Sequence, residues 1–136
     1  MSRPDLDESV TVRDRGISVE KSFAAEEFPV PAIKFVVSSS ATEPVDVRLT
    51  DEIPTEFPMD GVGFHPDYES DNWTAYKDNR VEYERTLDAG EEVVTVYGIR
   101  IDDPEEARAF LHEPSVAEVV APDGESVEDI IGDDNN

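Results

Sequence analysis

The chain contains no cysteine and only two histidines, His65 and His112, among its 136 residues. Without cysteine it can form neither disulfides nor thiolate metal sites. A histidine-assisted serine nucleophile would need a strained Gly-x-Ser-x-Gly elbow, and the sequence has none. No carboxylate pair stands out as a general acid and base. We therefore expect a protein that is not an enzyme and that carries no cofactor.

The sequence also lacks long apolar runs. A secretory signal needs about 7–15 consecutive apolar residues, and a membrane-spanning helix needs about 20. The polar opening segment, residues 1–8, and every later segment fall short of both lengths. The sequence thus predicts a cytoplasmic protein without membrane insertion.

Basic residues are scarce, because 34 acidic residues face only 11 lysines and arginines and give a formal net charge of −23. Lysine occurs three times, as Lys21, Lys34 and Lys77. The composition resembles that of haloarchaeal proteins, which work where molar salt shortens the Debye length to about 3 Å. An ordinary acidic protein of a mesophile is the alternative interpretation.

The same charge argues against a nucleic-acid partner. Binding DNA or RNA requires a positive surface that displaces counterions. The nearest approach to a basic cluster is Arg13-Asp14-Arg15, where an acid separates the two arginines.

Alternation of apolar and polar residues is what the chain does have, and it predicts strands. Ile17, Val19, Lys21 and Phe23 share one face of a first run. Later runs point an apolar face inward, and a run from 93 to 101 is apolar on both faces, which is typical of a covered central strand. We expect these residues to be mostly inward: Ile33, Phe35, Val37, Val45, Val47, Leu49, Val81, Tyr83, Val94 and Val96.

Short strands with turn signals between them predict an all-β fold, an antiparallel β-sandwich of about seven strands. We place it at residues 9–121, between a disordered N-terminus at 1–8 and a mobile acidic tail at 122–136. One short late helix is expected at about 103–112. Asp103 suits its N-cap and Pro104 its first position.

Two phrases carry a family resemblance. Leu49–Pro54 reads Leu-Thr-Asp-Glu-Ile-Pro, and the segment from Leu87 reads Leu-Asp-Ala-Gly-Glu-Glu-Val-Val-Thr-Val. Over residues 17–101 the chain resembles the immunoglobulin-like conserved-repeat domain, a domain of unknown function, of archaeal and bacterial surface proteins. The resemblance implies an immunoglobulin-like sandwich without catalytic residues. It also raises a module of a cell-surface assembly as an alternative function, although that family is repeated and exported.

Aromatic residues gather in the irregular region 55–79. Phe64, Tyr68, Trp73 and Tyr76 lie within 13 residues of each other, and aromatic residues are enriched at binding hot spots. They are the candidate surface for a protein partner that the sequence does not identify. The alternative is that Trp73 and Tyr76 are core residues of a short strand.

The same region contains a weaker candidate for a ligand site. His65, Asp67 and Asp71, with Asp60 nearby, could hold a metal ion or a small ligand through a loop at 60–72. The main hypothesis is a cytoplasmic protein-interaction module, an adaptor or accessory subunit adapted to high salt. Open strand edges could also pair two copies of the chain.

The charge generates a testable prediction. As salt falls from molar concentration to 0.1 M, the screening length grows from about 3 Å to about 10 Å and the acidic groups repel each other more strongly. We expect the melting temperature, followed by circular dichroism, to fall steadily over that range. A melting temperature independent of salt would contradict adaptation to high salt.

Overall fold

Nine antiparallel strands form two sheets in the computed structural model, which describes residues 9–24, 27–28 and 30–120. The strands are β1 (Ser9–Asp14), β2 (Ile17–Ala24), β3 (Ala32–Ser39), β4 (Val45–Glu52), β5 (Val62–Gly63), β6 (Trp73–Tyr76), β7 (Arg80–Leu87), β8 (Glu92–Ile99) and β9 (Ser115–Val120). One sheet has the order β1-β2-β3-β8-β5 and the other β6-β7-β4-β9. The sheets stack face to face, so the predicted β-sandwich is confirmed, with the two-residue β5 among the strands.

Two strand pairs are nested along the chain. β4 pairs with β7 in the second sheet, and β3 and β8, which precede and follow them in the chain, pair in the first sheet. The two connections between these pairs, residues 40–44 and 88–91, both pass from one sheet to the other at the same end of the sandwich. A long antiparallel ribbon is thereby folded over on itself, which brings residues from β2 and β4 together across the core.

A two-residue turn joins β1 to β2. Arg15 and Gly16 both have positive φ, at 50° and 84°, as a type I′ turn requires. This turn fixes the register Asp14↔Ile17. Ile17, Val19 and Lys21 consequently share the inner face of β2, where all three are buried.

The predicted inward residues of β3, β4 and β7 are buried. On β8 the prediction is wrong in phase, because Val93, Thr95, Tyr97 and Ile99 alternate with the residues that we expected to be inward. Val94 is 42% exposed, and Val96 is buried on the outer face of its sheet. A strand that is apolar on both faces gives no periodic signal to set its phase, and a shift of one residue reverses both faces.

The predicted late helix is a 3₁₀ helix, Pro104–Phe110. The Asp103 carboxylate accepts a hydrogen bond from the Glu105 N–H at 3.0 Å, and Glu106 reaches back to the backbone N–H of Asp103, completing a capping box. Ala107 and Phe110 are buried and anchor the helix on the core.

Both expected termini, residues 1–8 and 122–136, lie outside the described residues. Within the described segments, no helix is long and apolar enough to cross a membrane.

A buried ion pair links the two sheets. Lys21 on β2 is 0% exposed and Asp51 on β4 is 3% exposed, and Lys21 Nζ lies 2.8 Å from Asp51 Oδ1. Lys21 Nζ also donates to the His112 carbonyl at 3.0 Å. Tyr97 Oη on β8 donates to Asp51 Oδ2 at 2.6 Å. Three strands therefore converge on one carboxylate.

Burial disfavours the charged form of each member of this cluster. It raises the pKa of the Asp51 carboxyl and lowers the pKa of the Lys21 ammonium, against the attraction between the two groups. Burial, together with Asp51, raises the pKa of the Tyr97 phenol well above its ordinary value.

The tyrosines generate a prediction about alkaline pH. Burial raises the pKa of Tyr83 above its ordinary value of 10.0, aided by a hydrogen bond to Glu69, and Tyr97 is shifted in the same direction. Above pH 10 an unfolded chain loses these two protons and the folded chain keeps them. Stability should therefore fall by up to about 1.4 kcal/mol per pH unit for each tyrosine.

Urea unfolding between pH 9 and pH 11 measures this slope. Tyr83→Phe removes one titrating group, so its slope should be shallower by about half a proton at pH 10 and by nearly one proton at about pH 11. Equal slopes in the variant and the parent chain would show that the Tyr83 phenol titrates alike in both states.

Candidate functional site

An apolar groove of about 400 Å³ crosses the outer face of the first sheet at its β5 edge. We call it the β8 groove, because β8 forms its floor through Val96, Gly98 and Ile99. Phe28 and residues 30–32 form one wall, and residues 60–65 with Tyr68 form the other. Its lining residues are Phe28, Val30, Pro31, Ala32, Asp60, Gly61, Val62, Gly63, Phe64, His65, Tyr68, Val96, Gly98, Ile99, Arg100 and Ile101.

The first wall depends on a glycine in the floor. A Cβ atom on Gly98 would lie 2.9 Å from Val30 Cγ2 and 3.8 Å from the Pro31 carbonyl oxygen. Real side chains do not approach so closely. Gly98 therefore lets the segment 30–31 lie directly on the sheet, where the Ile99 N–H donates to the Pro31 carbonyl at 2.9 Å.

The second wall is held by aromatic contacts. Phe64 stacks on the buried Trp73, with ring centroids 5.5 Å apart and planes 9° apart. Tyr68 meets Phe28 of the opposite wall edge-to-face at 4.9 Å. The Tyr68 carbonyl accepts a hydrogen bond from Thr95 Oγ1 at 2.7 Å. The loop between β5 and β6 is thereby fixed to β8 and keeps the groove in shape.

Exposed valines extend the groove along the sheet. Val30 on the rim is 53% exposed, and Val94 is 42% exposed, two residues before Val96 on the same face of β8. Val36 of β3 lies beside Val94 and is half-buried. Val36, Val94 and Val96 therefore form a small apolar patch on the outer face, with Lys34 opposite Val96 and Glu20 opposite Val36.

Charged residues accompany the apolar lining. Asp60, His65 and Arg100 are among the lining residues. Asp67, between His65 and Tyr68, is exposed, and Glu27, which precedes Phe28, forms an ion pair with Lys34 at 3.0 Å. An occupant would thus meet apolar surface with charges of both signs beside it.

The four aromatic candidates do not form one surface. Phe64 and Tyr68 line the groove, while Trp73 is a core residue at 6% exposure whose indole N–H donates to Thr95 Oγ1 at 2.8 Å. Tyr76 lies on the outer face of the other sheet, 4.2 Å over the Arg80 guanidinium, and its hydroxyl donates to Glu82 at 3.0 Å. Only half of the predicted surface is therefore brought together.

The candidate metal ligands do not lie together at one site. His65 Nδ1 accepts a hydrogen bond from the Asp67 N–H at 3.0 Å, and the Asp67 carboxylate stands 3.9 Å away. Asp60 and Asp71 are exposed elsewhere in the loop region. Among the residues that the structure describes, no three of His, Asp or Glu could share a metal ion. The metal hypothesis gains no geometric support.

Sequence reasoning missed Val30, Val96 and Gly98 as groove residues. The available signal was the run from 93 to 101 that is apolar on both faces, which implied a cover on the outer face. Sequence reasoning also missed the buried pair. Lys21 stands in phase with Ile17 and Val19, and Asp51 stands in phase with Val47 and Leu49. A charged residue on an apolar face predicts a buried partner.

Comparison with protein-family models, with curated proteins and with solved structures finds no match to this chain. The resemblance to the immunoglobulin-like repeat therefore stays a prediction, and function has to be argued from the groove and the core.

The burial of Trp73 gives a direct test of core against surface. Truncation by Trp73→Ala should cost about 3–5 kcal/mol of unfolding free energy, because it leaves a cavity beside Phe35, Tyr83 and Tyr97. Tyr76→Ala is the matched control on the exposed face and should change stability by about 0.5 kcal/mol or less. Urea titrations followed by circular dichroism measure both. A cost for Trp73→Ala as small as that of the control would contradict the placement of Trp73 in the core.

Proposed function

We propose that the protein is a non-enzymatic interaction module, an adaptor or accessory subunit adapted to high salt, that holds a segment of a partner protein in the β8 groove. The observation that carries this proposal is an apolar groove of about 400 Å³ on a chain of net charge −23. Apolar surface that is preformed, contiguous and rimmed by polar residues is typical of interaction sites.

The shape and charge of the groove favour one class of occupant. Its floor is the strand β8, which points the apolar side chains of Val96, in the groove, and Val94, just beyond it, to the same outer face. An extended segment with apolar residues at alternate positions has the same spacing. The exposed acids of the second wall and its loop, Asp60 and Asp67, favour lysine or arginine at an end of that segment. In molar salt these charges are screened, so apolar contact would supply most of the affinity.

A small apolar ligand is the second candidate. The groove volume lies within the range of about 300–1,000 Å³ that ligand sites span. Arg100 at one end would suit an acidic head group. The two candidates differ in length, because a partner segment would also cover Val94, which lies beyond the groove.

Two variants with matched chemistry test the proposal. Val30→Asp places a carboxylate on the groove rim, and Tyr76→Asp places one on the opposite sheet, at residues of 53% and 36% exposure. The probe is a short synthetic peptide with valine at alternate positions and lysines at both ends. Val30→Asp should weaken its binding at least tenfold, about 1.4 kcal/mol, and Tyr76→Asp should not change it.

Fluorescence of Trp73, the only tryptophan, reports occupancy through its stacking partner Phe64. Equal weakening by both variants would indicate non-specific attraction to the acidic surface. Binding lost only in Tyr76→Asp would move the site to the other sheet. A small molecule retained in native mass spectra, and lost with Val30→Asp, would support the second candidate over the first.

A further inference from the structure

The buried cluster between the sheets places a lysine amine in direct contact with an aspartate carboxyl group. Lys21 Nζ lies 2.8 Å from Asp51 Oδ1, which supplies the proximity that an intramolecular condensation needs. Both side chains are enclosed, at 0% and 2% exposure. Bulk water, which would hydrate the charges and oppose loss of water, has little access to either group.

We propose that Lys21 Nζ and Asp51 Cγ condense to an isopeptide bond that ties β2 to β4 and so links the two sheets covalently. A proton first passes from the Lys21 ammonium to Asp51 Oδ1 along their hydrogen bond, leaving a neutral amine and a carboxylic acid. The amine lone pair then forms the N–C bond at Cγ. Oδ1 takes a second proton from the nitrogen and leaves as water. The sum is one ammonium and one carboxylate giving one secondary amide and one water.

The surrounding hydrogen bonds suit the product as well as the ion pair. A lysine ammonium has three donors, and the described residues supply two acceptors, Asp51 Oδ1 and the His112 carbonyl. A secondary amide has one N–H and one carbonyl oxygen. The His112 carbonyl, 3.0 Å from Nζ, would accept from that N–H. Tyr97 Oη, 2.6 Å from Oδ2, would donate to the carbonyl oxygen.

Neighbouring groups also assist the chemistry. The Tyr97 hydroxyl polarises the oxygen that remains as the carbonyl, as donors do in acyl-transfer sites. His112 Nε2 lies 2.9 Å from the Glu52 carbonyl and therefore donates to it. His112 Nδ1 lies 3.4 Å from the Glu113 carbonyl and 4.0 Å from Oδ1, the oxygen that leaves. His112 is partly exposed, which gives the released water a path to solvent.

The pKa shifts of Lys21 and Asp51 also favour the condensation. Burial lowers the pKa of Lys21 and raises the pKa of Asp51, so the neutral amine and neutral acid that react are more accessible here than in water. A carboxylate is a poor electrophile and an ammonium is not a nucleophile. The enclosed site therefore removes the two obstacles that prevent this condensation at the surface.

Intact mass under denaturing conditions tests the proposal. Folded protein purified after prolonged incubation should weigh one water less than its sequence mass, and proteolysis should yield a single branched peptide that contains both Lys21 and Asp51. The mass of the unmodified chain in a folded sample would overturn the proposal. The peptide map uses the parent chain alone, so the test does not depend on any variant folding.

Two lysine variants exclude other losses of water. Lys21→Met should restore the full mass, and Lys34→Met, at a partly exposed lysine on the same sheet, should keep the loss. Ring closure at Asp60-Gly61 or Asp123-Gly124 also releases water. A loss that persists in Lys21→Met, without a branched peptide in the parent chain, would assign it to such a site and refute the isopeptide bond.

Discussion

The contact between Lys21 and Asp51 is the constraint on which the packing of the two sheets depends. Moving two charges from water to a protein interior costs several kcal/mol each, and only close pairing with further hydrogen bonds offsets that cost. β2, β4 and β8 must therefore stand where Lys21, Asp51 and Tyr97 meet within 2.8 Å. Apolar contacts alone would tolerate small shifts between the sheets, whereas this cluster tolerates few.

The nested pairing of β3 with β8 and β4 with β7 brings these groups together. The same ribbon places the 3₁₀ helix at the end of the sandwich, so that the His112 carbonyl closes the Lys21 site. On the other side, Tyr97 and Trp73 continue the cluster into an aromatic core that reaches Phe64. The groove wall and the buried pair are thus parts of one packed unit. A covalent Lys21–Asp51 link would make that unit more rigid and would preserve the groove in conditions that weaken surface ion pairs.

The groove itself follows from how β8 is covered. Its inner face packs in the core, and its outer face is covered in part by Phe28 with residues 30–32 and by the loop that contains Tyr68. These two covers leave a gap between them, because Gly98 allows one to lie close and the stack of Phe64 on Trp73 holds the other away. A binding site made in this way needs no catalytic group, which accords with an interaction module. In the proposed module, Asp60 and Asp67 would favour partners with basic residues beside their apolar ones.

By itself the sequence determined the sandwich, most strand positions, the inward face of β2, β3, β4 and β7, and the capped start of the late helix. These features depend on local periodicity and on turn and cap residues, and such signals are complete within a few neighbouring positions. Only the tertiary structure decided the phase of β8, the separation of Tyr76 from Phe64 and Tyr68, the groove, and the pairing of Lys21 with Asp51. Each of these depends on which strands and loops pack against each other in three dimensions, and periodicity within one segment does not encode that.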